Sequence, residues 1–91
     1  MSDDALHDLA HQVGSALKSN GLMLVTAESC TGGWISEVIT LVAGSSEWFD
    51  RGYVTYSNRA KQEMLGVKLE TLLQHGAVSE PTVMEMVQGA L

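Results

Sequence analysis

The sequence predicts an α/β fold in which helices pack on both faces of a small parallel sheet. Two short apolar segments, 22–27 and 51–56, are rich in the residues typical of strands. A helical pattern lies between them, so strand, helix and strand occupy roughly 35 residues, the size of one βαβ unit. The two strands are then parallel, and their carboxyl ends lie at the same edge of the sheet.

The first two elements are a helix and a strand. Apolar residues fall on one helical face over about residues 3–20, with Ser2 as the expected cap and Asn20-Gly21 as a stop signal. Segment 22–27 follows at once and is almost continuously apolar, which is typical of a strand buried on both faces. A small polar turn at 28–33 then leads into the next helix.

The remaining elements alternate helix, strand and three short helices. The second helix runs from Trp34 to about Val42 and is broken at 44–46, before the strand at 51–56. Asn58 is expected to cap a helix that ends at Gly66, and another short helix covers about 69–74. The sequence Ser79-Glu80-Pro81 indicates the start of a last helix.

Two strands expose two unpaired edges, so residues 1–91 are interpreted as one domain, the front half of an α/β domain around a parallel βαβ core. We expect this chain either to associate through its sheet edge, as a homo-oligomer, or to form part of a longer protein.

Composition narrows the classes of function. The net charge of −6 argues against a general nucleic-acid binder. The longest apolar run, 22–25, is too short to span a membrane, and the acidic start is unlike a signal peptide. With a single cysteine, this pattern predicts a cytoplasmic protein. Residues 51–68 nevertheless carry a net charge of +3, which fits either a site for a small anion such as phosphate or a solvated face.

The turn after the first strand holds the strongest candidate site, in the sequence Ser29-Cys30-Thr31-Gly32-Gly33. A sharp strand-to-helix turn can present a serine hydroxyl and aim backbone N–H groups at the same point. Ser29 is therefore a candidate nucleophile, and the N–H groups of residues 30–33 are candidate donors to an oxyanion or a bound anion. The alternative is a capped strand–helix junction with no chemistry.

Lys61 is the candidate base, because it falls in the first turn of a helix that begins at the same sheet edge. Lysine acts as a base only when neutral, a form that burial and the neighbouring cations Arg51 and Arg59 would favour. Tyr56 is placed to hold the amine by a hydrogen bond. The alternative is an exposed, solvated lysine.

Two further constellations are weaker. Cys30 lies beside a predicted helix start but has no evident base, so it is either a nucleophile or a small buried thiol. His7 and His11 are four residues apart and could share a zinc ion with Asp4 or Asp8, or simply be solvated.

Several motifs together resemble one family. The sequence Thr-Ala-Glu-Ser-Cys-Thr-Gly-Gly at 26–33 resembles the signature of the CinA C-terminal domain family. The resemblance continues through 43–49, 52–58, Lys61 and 75–79, and so covers nearly the whole chain. The family's further strands and its glycine-rich motif of the Gly-Ile-Ala-Gly-Pro type have no counterpart in these 91 residues.

The resemblance implies a three-layer α/β/α domain. It also implies an amidohydrolase of the serine–lysine type, with Ser29 as nucleophile, Lys61 as general base and Tyr56 as its partner. The implied substrate is nicotinamide mononucleotide, hydrolysed to nicotinic acid mononucleotide and ammonia in the recycling of pyridine nucleotides. No metal or organic cofactor is implied. Two other readings stay open: a catalytically inactive binding or assembly module, and a phosphate-binding turn without covalent chemistry.

Overall fold

The computed structural model describes residues 3–91, in which a parallel sheet of two strands lies between helices. This arrangement confirms the α/β class. The predicted cap Ser2 lies outside the described residues. In chain order the elements are α1 (Asp3–Ser19), β1 (Leu24–Glu28), α2 (Trp34–Thr40), β2 (Phe49–Val54), α3 (Asn58–Leu65), α4 (Leu69–His75) and α5 (Glu80–Ala90), with a 3-10 turn at Ser45–Glu47 before β2.

Two apolar clusters cover opposite faces of the sheet. On one face, α1 and α2 pack against β1 and β2 around the buried Trp48. On the other, α3, α4 and α5 pack around Leu65 and Met86, against Ala27 and Tyr53 of the strands. Because side chains alternate between the faces of a strand, this pattern gives the three-layer α/β/α arrangement.

The second strand lies two residues earlier than predicted, at Phe49–Val54 instead of 51–56. The pairing runs from Leu24 opposite Phe49 to Glu28 opposite Val54, with an irregularity after Leu24. The Thr55 N–H still donates to the Glu28 carbonyl, at 2.9 Å. Since β1 ends there, residues 55 and 56 have no partner strand and leave the sheet.

Helix α3 is capped by Ser57 and not by Asn58, as the sequence had suggested. Ser57 has extended backbone angles, and its hydroxyl accepts the N–H of Ala60. Asn58 is already the first helical residue. The predicted cap of α5 is confirmed, since the Ser79 hydroxyl accepts the N–H of Thr82.

Helix α2 lies unusually close to the sheet at Gly52. A Cβ atom on Gly52 would lie 2.3 Å from Ser36 Oγ and 2.7 Å from Thr26 Oγ1. The close approach therefore requires glycine at this position of β2. No helix within residues 3–91 is both long and apolar enough to cross a membrane.

Candidate active site

Ser29 and Lys61, 32 residues apart in sequence, are in direct contact. Lys61 Nζ donates to Ser29 Oγ at 2.9 Å, and also to the carbonyl oxygens of Thr55 and Tyr56, each at 2.9 Å. Three acceptors match the three donors of an ammonium group, so every Nζ proton has a partner. The Ser29 hydroxyl in turn faces the Tyr56 carbonyl at 3.4 Å.

The parallel strands bring the two residues together. Ser29 directly follows β1, and Lys61 lies in the first turn of α3, which begins shortly after β2. The Lys61 N–H donates to the Ser57 carbonyl at 3.1 Å, which is the first turn of the helix. Both residues therefore lie at the carboxyl edge of the sheet, where open α/β sheets usually bind ligands.

Lys61 is buried, with 1% of its surface exposed, and the alternative of a solvated lysine is wrong. The expected help from Arg51 and Arg59 is also absent. Both arginines are exposed, and they pair with Asp50 and Glu63 respectively. Lys61 has no carboxylate partner among the described residues, and its buried amine contacts neutral oxygen atoms alone.

Those ion pairs favour the solvated face over the anion site as the interpretation of residues 51–68. Of the four basic residues there, two are neutralised by carboxylates and Lys61 is buried beneath Ser29. Lys68 alone remains, and it lies beside Glu85, whose pKa is lowered mainly by a hydrogen bond from the Lys68 backbone N–H and to a lesser extent by the Lys68 charge. The segment is therefore no concentrated patch of free positive charge.

Tyr56 lies at the site, but its side chain does not hold the lysine amine. The side chain is exposed, and the contact to Lys61 Nζ comes from the main-chain carbonyl. The predicted hydrogen bond between Tyr56 and the amine is therefore present, and it uses the main-chain oxygen and not the phenol. A carbonyl oxygen from any residue type could make this contact, so the phenol is free to meet a ligand.

The turn at 29–33 offers backbone donors that no group among the described residues uses. Gly32 N–H already donates to the Ser29 carbonyl, and Gly33 N–H donates to a Glu28 carboxylate oxygen. The prediction that these glycines supply oxyanion donors is therefore not supported. The N–H groups of Cys30 and Thr31 have no acceptor within residues 3–91 and remain available.

Sequence reasoning missed Glu28, which is buried at the end of β1 with 3% of its surface exposed. Burial by itself would raise the pKa of this carboxyl, but hydrogen bonds from Thr31, Ile35 and Ser36 outweigh it. The pKa therefore lies below the ordinary value of 4.5, and Glu28 is ionised at neutral pH. In the sequence, only the position of Glu28 directly before a glycine-containing turn could have indicated that its carboxylate binds the backbone of that turn.

A groove of about 240 Å³ opens beside Ser29, and its walls are mostly apolar. It runs between the turn after β1 and the start of α5. Its lining includes Ile35, Val78, Val83 and Val87.

The other candidates are not assembled into sites. His7 and His11 face each other on α1 with ring centroids 5.3 Å apart, and both are exposed. No three His, Cys, Asp or Glu residues within 3–91 lie close enough together to hold a metal ion. Cys30 is exposed, which contradicts the expectation of a buried thiol.

The fold and the site define an α/β protein with a buried lysine against a serine at the carboxyl edge of its sheet. The model of the CinA C-terminal domain matches residues 6–91, and the chain belongs to that family. The resemblance found in the sequence motifs is thereby confirmed.

Close relatives and solved structures agree with this assignment. The chain is 64% identical, over all of its 91 residues and 55% of the relative's length, to "Nicotinamide-nucleotide amidohydrolase PncC" of Escherichia coli K12. It is 58% identical to the protein of the same name from Enterobacter agglomerans, over all of the chain and 56% of the relative. The crystal structure of competence/damage inducible protein CihA from Agrobacterium tumefaciens superimposes with a TM-score of 0.93 and 49% identity, covering all of this chain and 54% of that one. The chain thus spans about half the length of the relatives it matches.

Proposed function

We propose that the chain carries the nucleophile and the base of an amidohydrolase that acts on nicotinamide mononucleotide. The observation that carries the proposal is the 2.9 Å contact between Ser29 Oγ and the buried Lys61 Nζ. A nucleophile within hydrogen-bond reach of a base is the arrangement that covalent catalysis requires. The names of the relatives from E. coli and E. agglomerans support the choice of substrate.

In the proposed reaction, Lys61 begins as a neutral amine. Its two N–H groups donate to the carbonyls of Thr55 and Tyr56, and its lone pair then faces the Ser29 hydroxyl along the same 2.9 Å contact. Ser29 Oγ bonds to the carboxamide carbon while its proton passes to Lys61 Nζ. The carbonyl oxygen becomes an oxyanion, which the N–H groups of Cys30 and Thr31 stabilise.

The second half of the reaction restores the enzyme. Protonated Lys61 gives its proton to the leaving nitrogen as the carbon–nitrogen bond breaks, so that ammonia departs. A water molecule then attacks the acyl-enzyme, with Lys61 again as base, and nicotinic acid mononucleotide is released with Ser29 regenerated.

Ammonia release from nicotinamide mononucleotide tests this proposal, with two neighbouring substitutions compared. Ser29→Ala removes the nucleophile and should abolish release. Cys30→Ala is the matched control, since it removes an exposed thiol and keeps the backbone N–H, so it should retain most of the activity. Release that survives in Ser29→Ala would contradict the assignment. A wild-type chain that releases no ammonia would instead favour a binding or assembly module.

A further inference from the structure

We propose that Glu28 is a positioning residue for this reaction, because it fixes the turn that carries the two free oxyanion donors. The inference rests on the proposed function. It concerns the carboxylate of Glu28, which touches neither Ser29 Oγ nor Lys61 Nζ and so acts only through the backbone of residues 29–33.

The Glu28 carboxylate accepts five hydrogen bonds, all from neutral groups. Oε1 accepts the Thr31 hydroxyl at 2.7 Å, Gly33 N–H at 3.1 Å and Ile35 N–H at 3.0 Å. Oε2 accepts the N–H and the hydroxyl of Ser36, both at 3.0 Å. A buried charge is costly unless it is fully hydrogen-bonded, so these donors are what allow an ionised carboxylate here.

This carboxylate replaces the usual cap of α2. The residue before the helix, Gly33, has a left-handed φ of 107° and no side chain that could accept the first N–H groups. Glu28 accepts them instead, from outside the helix. A serine or aspartate at the cap would serve the helix alone, whereas Glu28 also holds the turn before it.

Glu28 holds that turn at both ends. Its main-chain carbonyl accepts the Thr55 N–H at 2.9 Å, which ties the start of the turn to the residue that directly follows β2. Its side chain binds Thr31 and Gly33, which ties the far end of the turn. Between these anchors lie Cys30 and Thr31, whose N–H groups are unused. Loss of the carboxylate would therefore let the donors move relative to Ser29, and small displacements of this kind are costly in catalysis.

The sharpest test measures how fast Ser29 is labelled by a small fluorophosphonate. In that reaction Ser29 Oγ bonds to phosphorus, fluoride leaves and the hydroxyl proton passes to Lys61, while the phosphoryl oxygen uses the same donors as the amide oxyanion. Glu28→Gln keeps the shape of the side chain but places an amide N–H₂ against two or three donors. We expect labelling of folded Glu28→Gln to slow about 10- to 100-fold.

Glu85→Gln is the matched control. The Glu85 carboxylate also binds a helix start through the Lys68 N–H and the Thr71 hydroxyl, but it lies on α5 and contacts α4. Glu85→Gln should weaken these hydrogen bonds to a comparable extent without slowing the labelling of Ser29. In ammonia release, Glu28→Gln should lower kcat and leave KM unchanged when rates are normalised to the amount of Ser29 that the fluorophosphonate finally labels, because a loss of folded protein would lower the apparent kcat only without this normalisation.

The outcomes are distinct. Labelling is measured well below the thermal unfolding midpoints of the wild type and of Glu28→Gln. Equal labelling rates in the two proteins would overturn the inference and leave the proposed function standing. If the Ser29→Ala variant is labelled as fully as the wild type, the label is not on Ser29. The proposed function then fails, and the inference fails with it. If Glu28→Gln does not fold, Ser36→Ala takes its place, because it removes only one of the donors to Oε2. We expect Ser36→Ala to slow labelling about two- to fivefold. An unchanged labelling rate in Ser36→Ala would also overturn the inference.

Discussion

Lys61 and Glu28 are two buried ionisable side chains that do not pair with each other. Among the described residues, Lys61 is held by three oxygen acceptors and Glu28 by five uncharged donors. A direct ion pair would favour the ammonium form of Lys61 and oppose its use as a base. Hydrogen bonds to neutral groups avoid that effect, which is compatible with the proposed roles of Lys61 in proton transfer and of Glu28 in holding the backbone.

The carboxylates Glu28 and Glu85 predict how stability depends on pH. Hydrogen bonds lower the pKa of Glu85, with the Lys68 N–H as the main cause, and the pKa of Glu28 lies below 4.5 despite its burial. A lowered pKa in the folded state means that the stabilisation is complete above the ordinary value and is lost as the pH falls through the lowered one. We therefore expect the free energy of unfolding to fall steadily below about pH 4.5.

Urea denaturation at constant ionic strength between pH 3 and 7 measures this dependence. Glu28→Gln removes one of the two titrating groups and should flatten the curve below pH 4.5. Glu70→Gln, which replaces an exposed carboxylate without a hydrogen bond in the described chain, is the control and should keep the wild-type slope. A Glu28→Gln curve parallel to that of the wild type would contradict the assignment of the effect to Glu28.

At the scale of elements, the contact between α5 and α3 limits what the site can tolerate. A Cβ atom on Gly89 of α5 would lie 1.8 Å from the carbonyl oxygen of Leu65, the last residue of α3. Because the obstacle is backbone, the two helices would have to separate. Lys61 lies on α3 one turn before Leu65, so a shift of this helix would also move the lysine amine.

Gly89→Ala should therefore destabilise the protein by about 1–3 kcal/mol. The expectation is notable because the same change in an unobstructed helix stabilises by about 1 kcal/mol. Chemical denaturation measures the difference, with Gln88→Ala on the exposed side of α5 as control, for which we expect a change within about 0.5 kcal/mol. A Gly89→Ala protein more stable than wild type would show that α3 and α5 can part without cost.

The order and type of the elements could be predicted from the sequence, whereas their details depended on tertiary contacts. Hydrophobic periodicity separates helix from strand, and the βαβ connection alone placed Ser29 and Lys61 at one sheet edge. The end of β2 was set by the end of its partner at Glu28, which no local pattern encodes. Ser57 and Asn58 are both good caps, and only the backbone path decided between them.

The site showed the same division. The residue type of Lys61 indicated a base, but its burial depends on α3 packing over the sheet. The Tyr56 contact uses a main-chain oxygen, which is invisible in a sequence motif. Glu28 was missed because its five donors come from residues 31–36, and these converge on the carboxylate only after the turn has formed.

At the scale of the whole molecule, the two-stranded sheet leaves both of its edges unpaired, yet it does not leave the Lys61 amine open to water. With 1% of its surface exposed, Lys61 is instead covered by elements that the chain itself supplies. Apolar grooves beside the turn, in contrast, are open at the surface.

Two such grooves adjoin each other and favour association of the chain. One, of about 320 Å³, lies between α1 and α2, and the other runs between the turn after β1 and the start of α5; they share Thr31 and Ile35. Several of their side chains are large, apolar and exposed, including Leu9, Trp34 and Val83. Contiguous apolar surface of this kind and an unpaired strand edge both mark sites of protein contact.

We therefore predict that the purified 91-residue chain forms oligomers in solution through this surface. Light scattering between about 10 and 200 µM should show a mass that rises with concentration, since apolar association follows mass action. Leu9→Lys combined with Val83→Lys places a charge in each groove and should shift the equilibrium towards the 9.8 kDa monomer. Leu73→Lys is the control, because Leu73 on α4 is 78% exposed but lines neither groove, and its oligomers should persist. A wild-type chain that remains monomeric over this range, with both grooves open to water, would contradict the prediction.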